Sequence, residues 1–315
     1  MTAPATAIAT LTMNPAIDVA YAVEKIVPQH KIRTTHEYAN PGGGGINVAR
    51  VFVRLGGNAR AIYLSGGPIG IALDGLIDRH QLVRTRVPIA GTTRIAVTML
   101  EAQSGQEYRV TPEGPELSEP EWRAALAACE AAECRHFVAS GSLPRGVPAD
   151  FYARVARIMA QRGVAMVLDS SGPALKAAIE AGGIALAKPS RSELEFLSGG
   201  PLSTRADVVA AARALVDAGK VQRLAVTLGH EGAILVEPGR VIDCPALPVE
   251  AKSTVGAGDS FLAAMVHGLA TGMDAAAAFR RGMAAGTAAV LHPGTDLAHP
   301  DDIARLERQI AAAAG

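Results

Sequence analysis

Short apolar runs alternate with amphipathic segments along most of the chain, and this alternation constrains the fold more than any other sequence feature. The runs have the length of strands and end in glycine or polar residues, whereas the segments between them have the length of helices. The predicted strands are residues 8–13, 61–64, 136–139, 165–168, 184–187 and 224–227. The predicted helices are residues 45–55, 119–132, 148–162, 173–181, 191–198 and 206–218. Such alternation predicts an α/β fold, with a mostly parallel sheet between two helical layers.

Two regions, residues 19–38 and 92–111, break this rhythm with alternating polar and apolar residues. They predict antiparallel strands and a hairpin that turns at residues 103–106. Together they would form a small β-sheet lid on a single domain spanning residues 1–315. An exposed apolar face on that lid needs a partner, so we expect a homodimer formed through the lid. The last third of the chain is predicted to be helical, over residues 260–271, 274–291 and 300–314.

Charge and cysteine content narrow the class of protein. Thirty basic residues balance thirty acidic residues, so neither a nucleic acid nor a membrane surface is the expected partner. The three cysteines form no CxxC pair, and Cys129, Cys134 and His136 lack a fourth ligand at zinc-site spacing. The first residues do not resemble a signal peptide, and no apolar run reaches the roughly 18 residues of a membrane span. We therefore expect a cytoplasmic protein that acts on a small molecule.

The segment 253–260, S-T-V-G-A-G-D-S, leads directly into an apolar helical stretch. A glycine-rich turn that opens a helix exposes unpaired N–H groups at the positive end of the helix dipole, which makes an anion site. Asp259 would lie beside that anion and accept a proton from an attacking hydroxyl, as phosphoryl transfer to an alcohol requires. The catalytic candidates are Gly256, Ala257, Gly258 and Asp259. The alternative is a tight loop in which Asp259 only caps the helix.

A second glycine-rich segment, residues 41–50, reads P-G-G-G-G-I-N-V-A-R. Four consecutive glycines let the backbone approach a ligand closely, and Asn47 on the next helical turn offers an amide to a sugar hydroxyl. The competing interpretation is a dinucleotide-binding loop, which the absence of G-x-G-x-x-G spacing disfavours. Polar segments also end four of the predicted strands, at residues 141–144, 169–171, 188–190 and 227–229. Because ligands bind at the carboxyl ends of parallel strands, these segments indicate one shared crevice.

Charged residues near the predicted lid suggest how a phosphorylated sugar could be held. Asp18 follows the first strand and could accept hydrogen bonds from sugar hydroxyls. Lys31 and Arg33 are two residues apart on a presumed strand, so their side chains would leave the same face. With Arg94 on the other irregular region they could converge on a phosphate dianion. The alternative is ordinary solvated surface charge.

These motifs together resemble the ribokinase-like (PfkB) carbohydrate kinases over nearly the whole chain, and within that family the 6-phosphofructokinases most of all. The resemblance implies a three-layer α/β/α core with a β lid, ATP and Mg²⁺ as co-substrate and cofactor, and Asp259 as the base. It assigns the sugar to Asp18, Gly43, Gly44 and Asn47, and its phosphate to Lys31, Arg33, Arg94 and Ser142. It assigns the nucleotide to Lys188, Ser190, Thr227, Gly229, Gly232 and Thr287. A monovalent cation, K⁺, would bind through the loops around Ser253, Val255, Ala289, His292 and Gly294.

Two positions depart from relatives of the resembling family. Kinases of fructose 1-phosphate or tagatose 6-phosphate usually carry Gly-Gly-Lys-Gly in the first glycine motif, and Gly44 stands here in place of that lysine. Gly44 therefore favours fructose 6-phosphate, phosphorylated at its C1 hydroxyl, over those two sugars. The family's Asn-x-x-Glu motif, which helps to organise Mg²⁺, reads Ser190-Arg-Ser-Glu193. Glu193 remains the expected Mg²⁺ residue, acting through water. The side chain of Ser190 is shorter than the family asparagine, so it is expected to contact that water less well.

Other functions remain open at this stage. Within the family they are a tagatose-6-phosphate kinase, a 1-phosphofructokinase or a nucleoside kinase, the last disfavoured by the cations on the lid. From other classes they are a dinucleotide-dependent oxidoreductase, which the glycine spacing disfavours, and a non-catalytic sugar or nucleotide sensor. A sensor has no need of a base, so the presence of Asp259 speaks against it.

Overall fold

The computed structural model describes residues 7–313. The start of the chain, where the sequence predicts no signal peptide, and the last residue of the final predicted helix lie outside these residues. The strands are β1 (Ala7–Thr12), β2 (Ala16–Val23), β3 (Thr34–Gly42), β4 (Asn58–Ser65), β5 (Val83–Pro88), β6 (Arg94–Glu101), β7 (Glu107–Val110), β8 (His136–Ser140), β9 (Ala165–Asp169), β10 (Leu186–Ala187), β11 (Leu224–Thr227), β12 (Ala233–Glu237) and β13 (Arg240–Cys244). The helices are α1 (Gly44–Arg54), α2 (Gly67–Asp78), α3 (Glu119–Glu130), α4 (Phe151–Gln161), α5 (Gly172–Ala181), α6 (Arg191–Ser198), α7 (Arg205–Asp217), α8 (Ala257–Ala270), α9 (Ala275–Val290) and α10 (Pro300–Ala313).

A nine-stranded sheet in the order β13-β12-β11-β10-β9-β8-β1-β4-β5 forms the centre of the protein. Its neighbours pair in parallel except at one edge, where β11, β12 and β13 are antiparallel. Successive side chains of a strand face opposite helical layers, so Ile8 packs with α1, α2, α8, α9 and α10, whereas Ala9 packs with α3 to α7. The predicted three-layer α/β/α core is therefore confirmed.

A second sheet of four strands, in the order β3-β2-β6-β7, stands beside the core. The hairpin β6–β7 and the pair β2–β3 are antiparallel, as the sequence predicts, but the two halves join through the parallel pair β2–β6. We call these four strands the lid. Asp18 pairs with Ala96, and Arg109 pairs with Thr98, so Asp18, Arg94 and Arg109 share one face of the lid.

Four elements escape the sequence analysis: β5, α2, β12 and β13. Strand β5 is an exposed edge strand with charged residues at alternate positions, and α2 contains three glycines and a proline. The run 233–237 followed by Pro238-Gly239 carries a hairpin signal that the analysis did not use. No helix within residues 7–313 is long and apolar enough to cross a bilayer.

Helices α8 and α9 pack closely because small residues line their contact. A Cβ atom at Gly268 would lie 3.0 Å from both Cα and Cβ of Ala278 and 3.1 Å from the sulfur of Met273. This contact fixes the position of α8 and therefore of the 253–260 segment at its start.

We expect Gly268→Ala to destabilise the protein by about 1–3 kcal/mol, because the added methyl group meets the backbone of α9. Gly75→Ala is the matched control, since no atom lies within 4 Å of a Cβ placed at Gly75 in α2. That substitution should stabilise the protein by roughly 0.5–1 kcal/mol through the helix propensity of alanine. Urea unfolding measures both free energies, and the same sign for the two variants would contradict the close packing.

Candidate functional site

A cleft of about 310 Å³ lies at the carboxyl ends of the central parallel strands, between the core and the lid. Its position agrees with the general rule for ligand sites in open parallel sheets. The residues that line it are Asp18, Gly43, Gly44, Asn47, Ser140, Gly141, Ser142, Asp169, Ser170, Ser171, Glu193, Val255, Gly256 and Asp259.

Helix α8 begins at this cleft with the glycine-rich turn. Gly256 is the N-cap and adopts φ of 71°, and a Cβ there would lie 2.3 Å from Leu297, so the turn requires glycine. The N–H groups of the first helical turn have no acceptor within the helix and are available to an anion. Asp259 is the third residue of α8 and lies in this first turn.

The side chain of Asp259 is partly buried, and its Oδ2 accepts a hydrogen bond of 2.9 Å from the Nδ2 group of Asn47. Burial, reinforced by the neighbouring carboxylate of Asp169, raises the pKa of Asp259 to about 7. The hydrogen bond from Asn47 and the positive charge of Lys188 limit the rise. A carboxylate with this pKa exchanges a proton near neutral pH, which suits a general base.

Lys188 and Asp169 form a buried ion pair beside Asp259, with 3.2 Å between Nζ and Oδ1. Burial alone would lower the pKa of Lys188, but Asp169 holds it above its usual value and keeps the ammonium charged. A Cβ placed at Gly258 would lie 3.3 Å from Nζ, so the ammonium stands next to the anion-binding turn. Asp169 belongs to the polar segment 169–171 at a predicted strand end, but the sequence alone indicates no individual role for this residue.

The four-glycine run brings helix α1 against the ends of two core strands. A Cβ at Gly44 would lie 2.1 Å from the Oγ atom of Ser140, at the end of β8. A side chain at position 44 would therefore require the Ser140 hydroxyl to rotate away and would still lie close to the backbone carbon of Ser140, at 3.1 Å. The run also lets Asn47, buried in the first turn of α1, reach Asp259 on α8.

The lid contributes one carboxylate and two arginines from its core-facing side. Burial raises the pKa of Asp18 to about 6, while Arg50, Arg94 and Arg109 oppose the rise. Arg94 donates to two carbonyl oxygens, those of Pro112 at 2.7 Å and Asn14 at 2.8 Å, which positions its guanidinium but occupies two of its nitrogens.

Arg109 was missed by the sequence analysis. It donates to the hydroxyl of Thr254 at 3.2 Å, so it lies beside the loop that precedes the anion turn. The signal was present, because the predicted hairpin places Arg109 on the same face as Arg94, and in the structure Arg109 pairs with Thr98 on that face.

The predicted strand through Lys31 and Arg33 is wrong. Strand β2 ends at Val23 and β3 begins at Thr34, and the residues between them form an exposed loop with a turn at Gln29, whose φ is 63°. Pro28 cannot donate to a ladder of strand hydrogen bonds, and the apolar side chains of Val27 and Ile32 stay exposed. Within residues 7–313, neither Lys31 nor Arg33 lines the cleft.

The predicted nucleotide residues lie at the ends of the neighbouring strands rather than in the cleft itself. Ser190 and Thr227 form an isolated parallel bridge after β10 and at the end of β11. Gly229 begins a short 3-10 helix (Gly229–Glu231) just after β11, and Gly232 is its C-cap. Thr287 lies on α9, directly after Gly286. A Cβ at Gly286 would contact the carbonyl oxygen of Ala257 at the start of α8.

Ser190 and Glu193 form a capping box at the start of α6. The Ser190 N–H donates to Glu193 Oε2 at 2.7 Å, and the Glu193 N–H donates to Ser190 Oγ at 3.3 Å. Serine and asparagine are both good N-caps, so serine preserves this local arrangement in place of the family asparagine. Glu193 also lines the cleft, and carboxylate oxygens are ligands that suit Mg²⁺ or its water shell.

The two loops predicted to bind a monovalent cation are adjacent. The N–H of Lys252 donates to the carbonyl of Val290 at 2.7 Å, which joins the segment containing Ser253 and Val255 to the one containing Ala289. The imidazole of His292 is engaged with Asp302 at 3.0 Å, so this residue would contribute its backbone carbonyl. Gly294, at φ of 65°, turns the second loop beneath Ala20 of the lid.

A partly buried carboxylate at a helix N-terminus, a lysine beside it and a lid that carries arginines are features expected of a small-molecule kinase of the α/β class. The chain matches the family described as "pfkB family carbohydrate kinase" over residues 10–302. It is 39% identical over 300 residues to ATP-dependent 6-phosphofructokinase isozyme 2 of Mycobacterium tuberculosis, covering 95% of this chain and 88% of that protein. It is 38% identical over 298 residues to the protein of the same name from Escherichia coli, covering 94% and 96%.

Solved structures agree with these sequence matches. The phosphofructokinase-2 from Escherichia coli in complex with potassium superposes with a TM-score of 0.92 at 37% identity, covering 97% of this chain and 99% of the other. The same protein in complex with fructose-6-phosphate gives a TM-score of 0.91 at 36% identity, with the same coverage. The chain therefore belongs to the pfkB carbohydrate kinase family.

Asp259→Asn should stabilise the protein at high pH. The folded protein protonates Asp259 near pH 7 and the unfolded chain near 3.8, so above pH 7 the folded state holds an ionised carboxylate in a poorly solvated place. This penalty disappears as the pH falls and the folded state takes up the proton. We expect Tm to rise by roughly 3–8 °C at pH 8 and by less at pH 5.

The control for this measurement is Asp78→Asn. Arg84 lowers the pKa of the exposed Asp78 carboxyl, so its removal should not raise Tm at pH 8. Parallel Tm curves for Asp259→Asn and the parent protein between pH 5 and 8 would contradict the raised pKa.

Proposed function

We propose that this protein transfers the γ-phosphate of ATP to the C1 hydroxyl of fructose 6-phosphate and forms fructose 1,6-bisphosphate. The observation that carries the proposal is the position of Asp259, a base with a pKa near 7 in the first turn of α8, facing the cleft. The similar proteins of Mycobacterium tuberculosis and Escherichia coli, named as ATP-dependent 6-phosphofructokinases, support the same reaction.

In the proposed reaction Asp259 accepts the proton of the C1 hydroxyl as its oxygen attacks the γ-phosphorus, and ADP leaves. The N–H groups of Gly256, Ala257 and Gly258 would stabilise the charge on the transferring group. Lys188 stands beside this turn as a fixed positive charge, held by Asp169. Binding and orientation at these groups supply the catalysis, since phosphoryl transfer requires little covalent chemistry from the protein.

The sugar would lie between the core and the lid, on Asp18, Gly43, Gly44 and Asn47. We assign its 6-phosphate to Ser142, Arg94 and Arg109, because both arginines stand on the lid face that also carries Asp18. The structure of a relative with fructose-6-phosphate supports this substrate. Gly44 also supports it, because kinases of other sugar phosphates usually carry lysine at this position, and a side chain here would meet Ser140.

The nucleotide would bind over the ends of β10 and β11, along Ser190, Thr227, Gly229 and Gly232, with Thr287 on its other side. Bound Mg²⁺ would neutralise phosphate charge, and Glu193 would hold its water shell. The backbone oxygens of the two adjacent loops described above, with the hydroxyl of Ser253, suit K⁺. A relative crystallised in complex with potassium supports that cation.

The face of the lid opposite Asp18 is apolar and partly exposed. Ile95, Tyr108 and Val110 on this face are 37%, 39% and 56% exposed. Burying such a face stabilises a pair of subunits, so we propose a homodimer formed through the lid. Sedimentation velocity tests this, and a monomer at micromolar concentration would contradict it.

A coupled ADP-release assay tests the reaction. With ATP and Mg²⁺, we expect kcat/KM for fructose 6-phosphate to exceed that for tagatose 6-phosphate, fructose 1-phosphate, fructose, ribose and adenosine. Asp259→Asn should lower kcat by roughly two to four powers of ten, because the base is lost. Preference for another sugar would refute the substrate assignment, and near-parental activity of Asp259→Asn would refute the mechanism.

Glu193→Gln should raise the Mg²⁺ concentration needed for half-maximal activity, because the carboxylate charge is lost while an oxygen remains to cap α6. The matched control is Asp207→Asn, in the capping box that Thr204 and Asp207 form at the start of α7. Within the described residues Asp207 does not line the cleft, so this variant should leave the Mg²⁺ dependence unchanged. An identical response of both variants would show that Glu193 acts only as a cap.

A further inference from the structure

Arg50 is a buried cation for which neither the sequence motifs nor the proposed reaction gives a role. It lies on α1, one turn beyond Asn47, and is 2% exposed. A buried guanidinium is costly unless its donors are paired, and burial lowers the pKa of Arg50 to about 10. Its hydrogen-bond partners therefore indicate what the charge does there.

Three acceptors surround the guanidinium. The Nη1 group donates to the carbonyl of Pro41 and to Oδ1 of Asn47, both at 3.1 Å. The Nη2 group donates to Oδ1 of Asn40 at 3.2 Å, and the Nδ2 group of Asn40 donates in turn to the hydroxyl of Thr295 at 2.9 Å. Arg50 thus connects the end of lid strand β3 to the side chain that contacts Asp259.

The two ends of a carboxamide have nearly the same shape but opposite hydrogen-bonding character. A half-turn of the Asn47 carboxamide would direct its oxygen at the carboxylate of Asp259, and the two oxygens would repel each other. Arg50 offers only donors, so it selects the oxygen of Asn47. The Nδ2 group is then left to face Oδ2 of Asp259, at 2.9 Å.

We propose that Arg50 is a positioning residue for the reaction: its guanidinium fixes the orientation of the Asn47 carboxamide, and Asn47 thereby holds the carboxylate of Asp259 in place. Lysine could keep the charge but not the planar fork that reaches three acceptors at once. This inference rests on the proposed role of Asp259, and it adds a link from the base to the lid.

A double-mutant cycle tests the proposal. Arg50→Lys and Asn47→Ala should each lower kcat by about tenfold or more, and the double variant should be no slower than Asn47→Ala alone, because Arg50 acts through Asn47. If Arg50 only supported the fold, the fold reductions in kcat of the two single variants would multiply in the double variant. That result would overturn the proposal.

Arg162→Lys is the control for the loss of a guanidinium that binds carbonyl groups. Arg162 donates to the carbonyls of Cys129 and Ala132 on the far helical layer, outside the cleft. Arg162→Lys should lower the free energy of unfolding about as much as Arg50→Lys does, while kcat stays at the parental value. An equal loss of kcat in both variants would show that Arg50→Lys acts through stability.

A second measurement needs no activity and therefore separates failure of this inference from failure of the proposed function. Carbon-13 NMR of the aspartate carboxyls follows the titration of Asp259 in the parent protein and in Arg50→Lys. The other charged groups that face Asp259 are Asp18, Asp169 and Lys188, and all are unchanged in this variant. Release of Asn47 should raise the pKa of Asp259 further, and an unchanged value would overturn the proposal.

Discussion

Two opposing sets of interactions act on the protonation of the Asp259 carboxylate, and the other residues of the site supply them. Burial and the charge of Asp169 favour its protonated form, whereas the helix dipole, Asn47 and Lys188 favour its ionised form. A group balanced in this way near neutral pH can take up and release a proton. Removing any one of these neighbours would shift the pKa of Asp259, so each of them contributes to keeping that pKa near neutral.

In the proposed reaction the two sheets have different tasks. The core would carry the chemistry, because α8 packs closely on α9 and the ends of β9 and β10 place Asp169 and Lys188 beside Asp259. The lid would carry recognition of the sugar phosphate, because its core-facing side presents Asp18 and two arginines. Strand ends and helix starts meet at this boundary in any doubly wound sheet, so the fold provides the location and the side chains provide the reaction.

The sequence predicted the parts of this structure that depend on local patterns. The parallel strands of the core follow from apolar periodicity, and the helix that begins after Gly256 follows from the glycine-rich turn before an apolar stretch. Sequence patterns are insufficient where tertiary contacts decide. Residues 24–33 alternate like a strand, but only their start reaches the lid hairpin, where the N–H of Ile26 donates to Glu101, and the rest form an exposed loop. The edge strand β5 has arginines at alternate positions and therefore lacks a clear apolar pattern. The role of Asp169 becomes clear only when Lys188 and Asp259, its distant neighbours in the sequence, are placed beside it.

The lid hairpin also touches the loop that leads into the anion turn. The hydroxyl of Ser253 donates to Glu107 at 3.0 Å, and Arg109 donates to Thr254 at 3.2 Å. In the proposed reaction, a sugar phosphate that attracts Arg109 would compete for its guanidinium with Thr254 and with Glu107, which accepts from Arg109 Nε at 2.7 Å. Filling the sugar pocket would therefore change the restraint on the loop that leads into the anion turn before any bond is broken.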